Sequence, residues 1–121
     1  MERFIYEAKV ISVYDADTAT LMIDLGCKVT IKEKVRFYGI DTPEIRTRNK
    51  REKALGLEAR DFVRDLILDK TVIIKTFKDK KGKFGRYLAN IYVDDISLND
   101  LLVQKGYAKV YLGGKREKWF T

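Results

Sequence analysis

Alternating hydrophobic and polar residues predict strands over the first forty positions. The alternation is loose across positions 4–13 and has a period of two across positions 18–25. After a turn at Gly26 and Cys27, it continues through Val29, Ile31, Val35, Phe37 and Ile40. A period of two is typical of strands that bury one face. Three long strands joined by short turns indicate a curved antiparallel sheet.

After Pro43 the pattern changes to a loop followed by a helix. Positions 45–53 are basic and aperiodic, which predicts a loop. From Ala54 the hydrophobic residues recur at intervals of four, three and four, at Leu55, Ala59, Phe62 and Leu66. This spacing places them on one face of a helix, so we predict that a helix begins near Ala54.

The second half of the chain predicts two more strands and a second helix. Positions 71–77 and 87–93 have strand patterns, separated by a charged turn at 79–83. Ser97 is a candidate helix cap, Asp100 stands in a capping-box-like position, and Gly106 ends the helix. The order of three strands, helix, two strands and helix predicts a mainly β chain with helices (α+β). It fits a five-stranded, partly open OB-fold barrel with a helix after strand three, although an α+β sandwich would give the same order.

Length and composition add the domain count and the charge. The 121 residues suit one domain over 1–121, and no linker or repeat divides them. A net charge of +7 favours a polyanionic partner. The sequence has no signal peptide pattern and no membrane span. We expect a monomer outside the membrane, and both a cytoplasmic location and the mature form of a secreted protein stay open.

The absence of histidine restricts the possible chemistry most. It excludes nucleophile systems that use a histidine base and, with Cys27 as the only cysteine, a structural zinc site. Carboxylates must then hold any catalytic metal, and oxygen ligands select Mg²⁺, Ca²⁺ or Mn²⁺. Cys27 itself is expected to be a small residue in a turn.

Three clusters contain residues suited to such chemistry. They are positions 15–18 before strand two, positions 36–44 at the end of strand three, and positions 83–86 before the last strand. Each alone has a structural explanation, as turn-forming acids, a turn before a proline, or a solvated hairpin loop. Together they supply acids for a hard cation, arginines for phosphate, and a carboxylate for water. These are the components of metal-assisted phosphodiester hydrolysis.

The sequence resembles the staphylococcal nuclease (thermonuclease) family in five stretches that follow the family's order. They are VYDADT at 13–18, VRFYGIDTPE at 35–44, GLEA at 56–59, KFGR at 83–86 and LVQKGYAKV at 102–110. The resemblance implies an OB-fold barrel. It also implies a Ca²⁺-dependent nuclease that cleaves single- or double-stranded DNA and RNA and leaves 5′-hydroxyl and 3′-phosphate ends.

The resemblance further implies roles for individual residues. Those that correspond to the family's Ca²⁺ ligands are Asp17, Asp41 and, through its backbone carbonyl, Thr42. Those that correspond to its catalytic residues are Arg36 and Arg86, which bind phosphate, and Glu44, which lies near the attacking water. Those expected to contact substrate are Lys83, Phe84 and Tyr111.

The sequence also departs from the family pattern. Ala16 stands where the family usually has glycine, and Phe84 lacks the hydroxyl of a tyrosine that contacts phosphate. After Tyr111 the family's third helix is expected to be absent or reduced to positions 115–120. The alternative function is a non-catalytic OB-fold module of the same family that binds nucleic acid. We favour the enzyme because every carboxylate and arginine of the implied site is retained.

Overall fold

The secondary structure is described from a computed structural model that covers residues 3–81 and 86–120. The strands are β1 (Ile5–Asp15), β2 (Thr18–Gly26), β3 (Val29–Phe37), β4 (Ile40–Asp41), β5 (Thr71–Lys81), β6 (Tyr87–Val93), β7 (Ile96–Ser97) and β8 (Lys109–Val110). The helices are α1 (Lys50–Ile67) between β4 and β5, and α2 (Leu98–Gln104) between β7 and β8.

Five long strands close into a barrel. Strands β3, β2, β1, β5 and β6 are antiparallel neighbours in that order, and β3 also pairs with β6 in parallel. The closing register places Val35 opposite Tyr87 and Phe37 opposite Ala89. This pairing confirms the predicted mainly β fold with an OB-type barrel and a helix after the third strand. It excludes the sandwich, because two packed sheets would leave β3 and β6 unpaired.

Tight turns connect the first three strands. Cys27 and Lys28, between β2 and β3, have φ of 53° and 64°. Two successive positive φ angles are typical of the hairpin turn that matches the twist of antiparallel strands. Cys27 lies in this turn, as the sequence predicted, and it is exposed.

Helix α1 begins earlier than the sequence predicted. The side chain of Asn49 accepts hydrogen bonds from the backbone N–H of Arg51 and Glu52, both at 3.0 Å. The predicted loop at 45–53 is therefore wrong from Lys50 onward, because this cap starts the helix before its hydrophobic face begins. The most buried residues of α1 are Gly56, Ala59, Val63 and Ile67, one position away from much of the predicted face.

Helix α2 follows the prediction closely. The Ser97 hydroxyl accepts a hydrogen bond from the backbone N–H of Asp100 at 3.3 Å, and Gly106 beyond the helix has φ of 81°. Strand β5 extends to Lys81, so the charged turn predicted at 79–83 does not begin at 79, and residues 82–85 lie outside the described residues. Residues 111–120 contain no helix.

The hydrophobic core fills the barrel and the space beneath both helices. Val10, Leu21, Phe37, Ile74 and Ile91 from the five long strands are at most 1% exposed. The buried residues of α1 and α2 join the same cluster. Within the ranges that the structure describes, no helix is long and apolar enough to cross a membrane.

Candidate functional site

A cleft of about 710 Å³ lies where the end of the β1–β2 hairpin, the end of β3 and the start of β6 meet the segment after β8. We call it the acidic cleft, because carboxylates line its floor and mouth. The residues that line it are Asp15, Asp17, Arg36, Tyr38, Gly39, Asp41, Thr42, Pro43, Glu44, Arg86, Leu88, Tyr111, Leu112, Gly113, Gly114 and Arg116.

The short strand β4 fixes Asp41 at the floor of the cleft. The chain turns sharply at Gly39, whose φ of 79° favours glycine. The carbonyl of Gly39 accepts a hydrogen bond from the backbone N–H of Tyr111 at 2.8 Å, and β4 pairs with β8 so that Asp41 lies opposite Lys109. Asp41 and Thr42 are only 5% and 3% exposed. Backbone pairing therefore determines where this carboxylate lies.

Arg36 links the two buried carboxylates that the sequence predicted as metal ligands. Its Nη2 lies 3.5 Å from Asp17 Oδ2 and 3.8 Å from Asp41 Oδ1. The hydroxyl of Thr18 donates a hydrogen bond to the other oxygen of Asp17 at 3.0 Å. The β2–β3 register brings these groups together, since Thr18 is the cross-strand partner of Arg36. Asp17, Arg36 and Asp41 thus form one contiguous cluster.

The remaining predicted site residues lie around this cluster, where the structure describes them. Arg86 lines the cleft, and its Nη1 donates a hydrogen bond to the hydroxyl of Thr18 at 3.4 Å. The ring centroid of Tyr111 is 5.9 Å from the guanidinium carbon of Arg36, and its hydroxyl donates to the carbonyl of Gly114 at 2.8 Å. Lys83 and Phe84 lie outside the described residues.

Glu44 lies at the mouth of the cleft, and helix α1 holds its backbone. The N–H of Glu44 donates a hydrogen bond to Glu52 Oε2 at 2.8 Å. Gly56 allows the close approach, because a Cβ there would lie 2.8 Å from the carbonyl oxygen of Pro43 and 3.1 Å from that of Glu44. The Glu44 side chain is 53% exposed. Its carboxylate is therefore about half-exposed at the mouth of the cleft.

Arg116 and Trp119 belong to the site although the sequence analysis did not select them. Arg116 Nε donates a hydrogen bond to Asp41 Oδ1 at 3.0 Å, Nη1 donates to Glu44 Oε1, and Nη2 donates to the carbonyl of Thr42 at 3.4 Å. The indole N–H of Trp119 donates to Asp41 Oδ2 at 3.4 Å. Partial burial lowers the pKa of Arg116, but its hydrogen bonds and charge interactions with Asp41 and Glu44 raise it overall. No local pattern signals this contact.

Asp15 is a second acidic residue beside Asp17. Burial, together with a hydrogen bond and charge repulsion from Asp17, raises the pKa of Asp15 to about 7. Its Oδ1 has no hydrogen-bond partner among the described groups. Two ionised carboxylates this close repel each other, so Asp15 holds its proton more readily than an isolated aspartate does.

The donors in the acidic cleft suit a hard cation. No three His, Cys, Asp or Glu side chains form a ready metal-binding group among the described residues. The cleft nevertheless provides two buried carboxylates and the carbonyl of Thr42, and guanidinium groups already contact all three. Ca²⁺ accepts such oxygen ligands in irregular geometry and completes its shell with water. The residues present therefore fit Ca²⁺.

Comparison with known proteins identifies the family. The family described as "Staphylococcal nuclease homologue" matches residues 34–119. An uncharacterised protein, MJ1439 of Methanocaldococcus jannaschii, is 34% identical over 129 aligned positions that cover 88% of this chain and 60% of the relative. The thermonuclease of Staphylococcus hyicus is 32% identical over 84% of this chain and 57% of its own length. The endonuclease YncB of Bacillus subtilis is 32% identical over 65% of this chain and 38% of its own length.

These relatives are longer proteins, and the chain spans about half the length of the curated relatives it matches. The family match covers the end of β3, β4, the start of β6 and the segment after β8, which line the acidic cleft, but not the β1–β2 hairpin that supplies Asp15 and Asp17. The barrel, the cleft and the match lead to one conclusion: the chain belongs to the staphylococcal nuclease homologue family.

Proposed function

We propose that the chain is a Ca²⁺-dependent nuclease domain that hydrolyses phosphodiester bonds of DNA and RNA and leaves 5′-hydroxyl and 3′-phosphate ends. The observation that carries the proposal is the contact of Asp17, Arg36 and Asp41 in one cleft, with Glu44 and Arg86 at its walls. The names of two relatives, a thermonuclease and an endonuclease, support the same activity.

The residues that would hold Ca²⁺ are Asp17, Asp41 and, through its carbonyl, Thr42. When bound there, Ca²⁺ supplies positive charge that stabilises a negative phosphate oxygen. Arg116 contacts two of these three groups and also Glu44. Since one set of oxygens cannot fully satisfy both cations, we expect Arg116 and Ca²⁺ to compete for the cleft.

The other cleft residues bind the phosphate and handle the proton. Arg36 and Arg86 present planar guanidinium groups, which form paired hydrogen bonds with phosphate oxygens and stabilise the charge that grows in the transition state. Glu44 would accept a proton from the attacking water. The water oxygen forms a bond to phosphorus, the bond from phosphorus to the 5′ oxygen breaks, and that oxygen leaves as a hydroxyl after taking up a proton.

Cleavage of end-labelled single-stranded DNA and RNA tests the proposal. We expect cleavage with Ca²⁺, none with a chelator, and 3′-phosphate product ends. Asp17→Asn and Asp41→Asn should each weaken Ca²⁺ binding measured by calorimetry and leave the circular dichroism spectrum unchanged. The matched control is Asp65→Asn, at an exposed position of helix α1. Full activity in chelator, or parental activity in Asp41→Asn, would overturn the mechanism.

A non-catalytic nucleic-acid-binding module is the second candidate. One observation favours it: Arg116 and Trp119 already satisfy both oxygens of Asp41. A module of this kind would bind oligonucleotides and leave them intact at saturating Ca²⁺. The cleavage experiment separates the two candidates directly.

A further inference from the structure

A second cleft lies beside the acidic cleft, between β1, β3 and helix α1. It has a volume of about 440 Å³ and is lined by Ser12, Val13, Tyr14, Thr20, Lys34, Ile45, Arg46, Arg60 and Arg64. We call it the basic pocket. Four of these lining residues are cations and none is a carboxylate. Like charges gathered in a concavity repel one another, so this pocket suits an anionic ligand.

Tyr14 lies at the centre of this charge. The residue is 44% exposed, and its ring centroid is 5.4 Å from Lys34 Nζ and 5.2 Å from the guanidinium carbon of Arg46. Both distances fall within the range of cation–π attraction. Neither cation forms an ion pair with a carboxylate in the part of the chain that the structure describes. Their charges are therefore available to a ligand.

The helix side of the pocket is held in place. Arg64 Nε and Nη2 donate hydrogen bonds to the carbonyl of Val13 at 3.2 and 3.0 Å. Arg60 and Arg64 share one acid, Asp61, at 3.4 and 4.0 Å, so their two charges are only partly neutralised. A guanidinium that is already fixed loses less conformational entropy when it binds an anion.

The basic pocket continues directly from the acidic cleft. Tyr14 precedes Asp15, and Arg46 follows two residues after Glu44, while Asp15 and Glu44 themselves line the acidic cleft. The two clefts therefore share the end of β1 and the segment after β4. A single strand held in the first cleft can therefore continue into the second along these shared segments.

We propose that the basic pocket binds the backbone of single-stranded nucleic acid next to the segment held in the acidic cleft, with Lys34, Arg46, Arg60 and Arg64 contacting phosphates and Tyr14 stacking on a base. The inference rests on the proposed function in one respect, that the ligand of the acidic cleft is a nucleic acid. A single strand is favoured over a duplex, because only unpaired bases expose a face to an aromatic ring. Phosphate contacts carry no sequence preference, so the pocket should extend the binding footprint without adding specificity.

Binding of a labelled 12-nucleotide single strand, measured by fluorescence anisotropy in chelator, tests the pocket independently of cleavage. We expect the double variant Lys34→Gln/Arg46→Gln to bind at least tenfold more weakly. The slope of log affinity against log salt should also become shallower by about 1.4, since each lost phosphate contact removes about 0.7 for a single strand. The matched control is Lys70→Gln/Lys105→Gln, which removes the same charge from exposed positions outside both clefts.

Tyr14→Leu separates stacking from charge. We expect at least a fivefold loss of affinity, the scale of one lost base stack, with an unchanged salt slope. Circular dichroism spectra matching those of the parent keep each comparison valid. If Lys34→Gln/Arg46→Gln and its control give equal salt slopes, the pocket does not bind phosphates and the proposal is wrong. If Tyr14→Leu loses the same affinity for a duplex as for a single strand, the single-strand assignment is wrong. A failure of nuclease activity with these binding results intact would instead count against the proposed function.

Discussion

Replacing Arg116 by glutamine is expected to tighten Ca²⁺ binding to the acidic cleft. The guanidinium of Arg116 contacts Asp41, Glu44 and the carbonyl of Thr42, which are oxygens that Ca²⁺ or its water shell would use. Glutamine keeps a long polar side chain and removes the charge. The oxygens are then released from a competing cation, so the metal no longer has to displace it.

The size of the effect follows from the exposure of each contact. The contact with Asp41 is 3.0 Å long and the carboxylate is nearly buried, but Arg116 itself is 38% exposed. We therefore assign that contact about 1.5 kcal/mol, the low end for a charged hydrogen bond. The contact with Glu44 is exposed on both sides and adds about 0.5 kcal/mol. Together they oppose Ca²⁺ binding by about 2 kcal/mol, which corresponds to a dissociation constant lowered about thirtyfold in Arg116→Gln.

Two measurements report this competition without relying on activity. Isothermal titration calorimetry gives the dissociation constant of Ca²⁺. Trp119 is the only tryptophan in the chain and its indole contacts Asp41, so its fluorescence should change as Ca²⁺ binds, with the same midpoint. The matched control is Lys115→Gln, which removes one charge from the exposed neighbouring residue.

Comparing the Ca²⁺ dissociation constants of Arg116→Gln and Lys115→Gln tests whether Arg116 competes for the site. Loss of any nearby positive charge attracts Ca²⁺ slightly, so the control should tighten binding by less than about threefold, in line with weak exposed charge interactions. If Arg116→Gln and Lys115→Gln give the same dissociation constant, Arg116 does not compete for the site and the reasoning from its contacts is wrong.

Three further substitutions test the phosphate contact and the packing around the site. Arg86→Lys should lower kcat roughly a hundredfold in single-turnover cleavage at saturating Ca²⁺, since lysine loses the planar two-point contact, and a parental rate would refute that role. Gly56→Ala should lower the melting temperature, because the added Cβ would press on the backbone carbonyls of Pro43 and Glu44. This loss should outweigh the helix propensity of alanine, which exceeds that of glycine by about 1 kcal/mol. A raised melting temperature would contradict the prediction. Asn99→Ala should lower the free energy of unfolding, measured with urea, by about 3 kcal/mol, because the buried Asn99 side chain accepts a hydrogen bond from the Ile91 N–H and donates to three further groups. A decrease below about 1 kcal/mol would count against that network.

The sequence alone determined the five long strands and the second helix, and it proposed part of the set of candidate site residues, without the short strands β4, β7 and β8 and without Arg116 and Trp119. Period-two alternation reports burial of one strand face, and the caps of α2 act within a few residues, so both are visible locally. Asp17 and Asp41 could be linked from sequence only through the family resemblance. Nothing in their spacing brings them together, whereas the β2–β3 register and the β4–β8 pair do.

Only the tertiary structure decided how the barrel closes and what lines its two clefts. The β3–β6 pairing, which separates a barrel from a sandwich, joins strands about fifty residues apart in sequence. The hydrogen bond between Arg116 and Asp41 spans 75 positions, and the basic pocket collects its cations from β3, the segment after β4 and α1. Local patterns report only which face of an element is buried. Which distant charges meet depends on how the chain returns on itself, and that is fixed when the barrel and its helices pack.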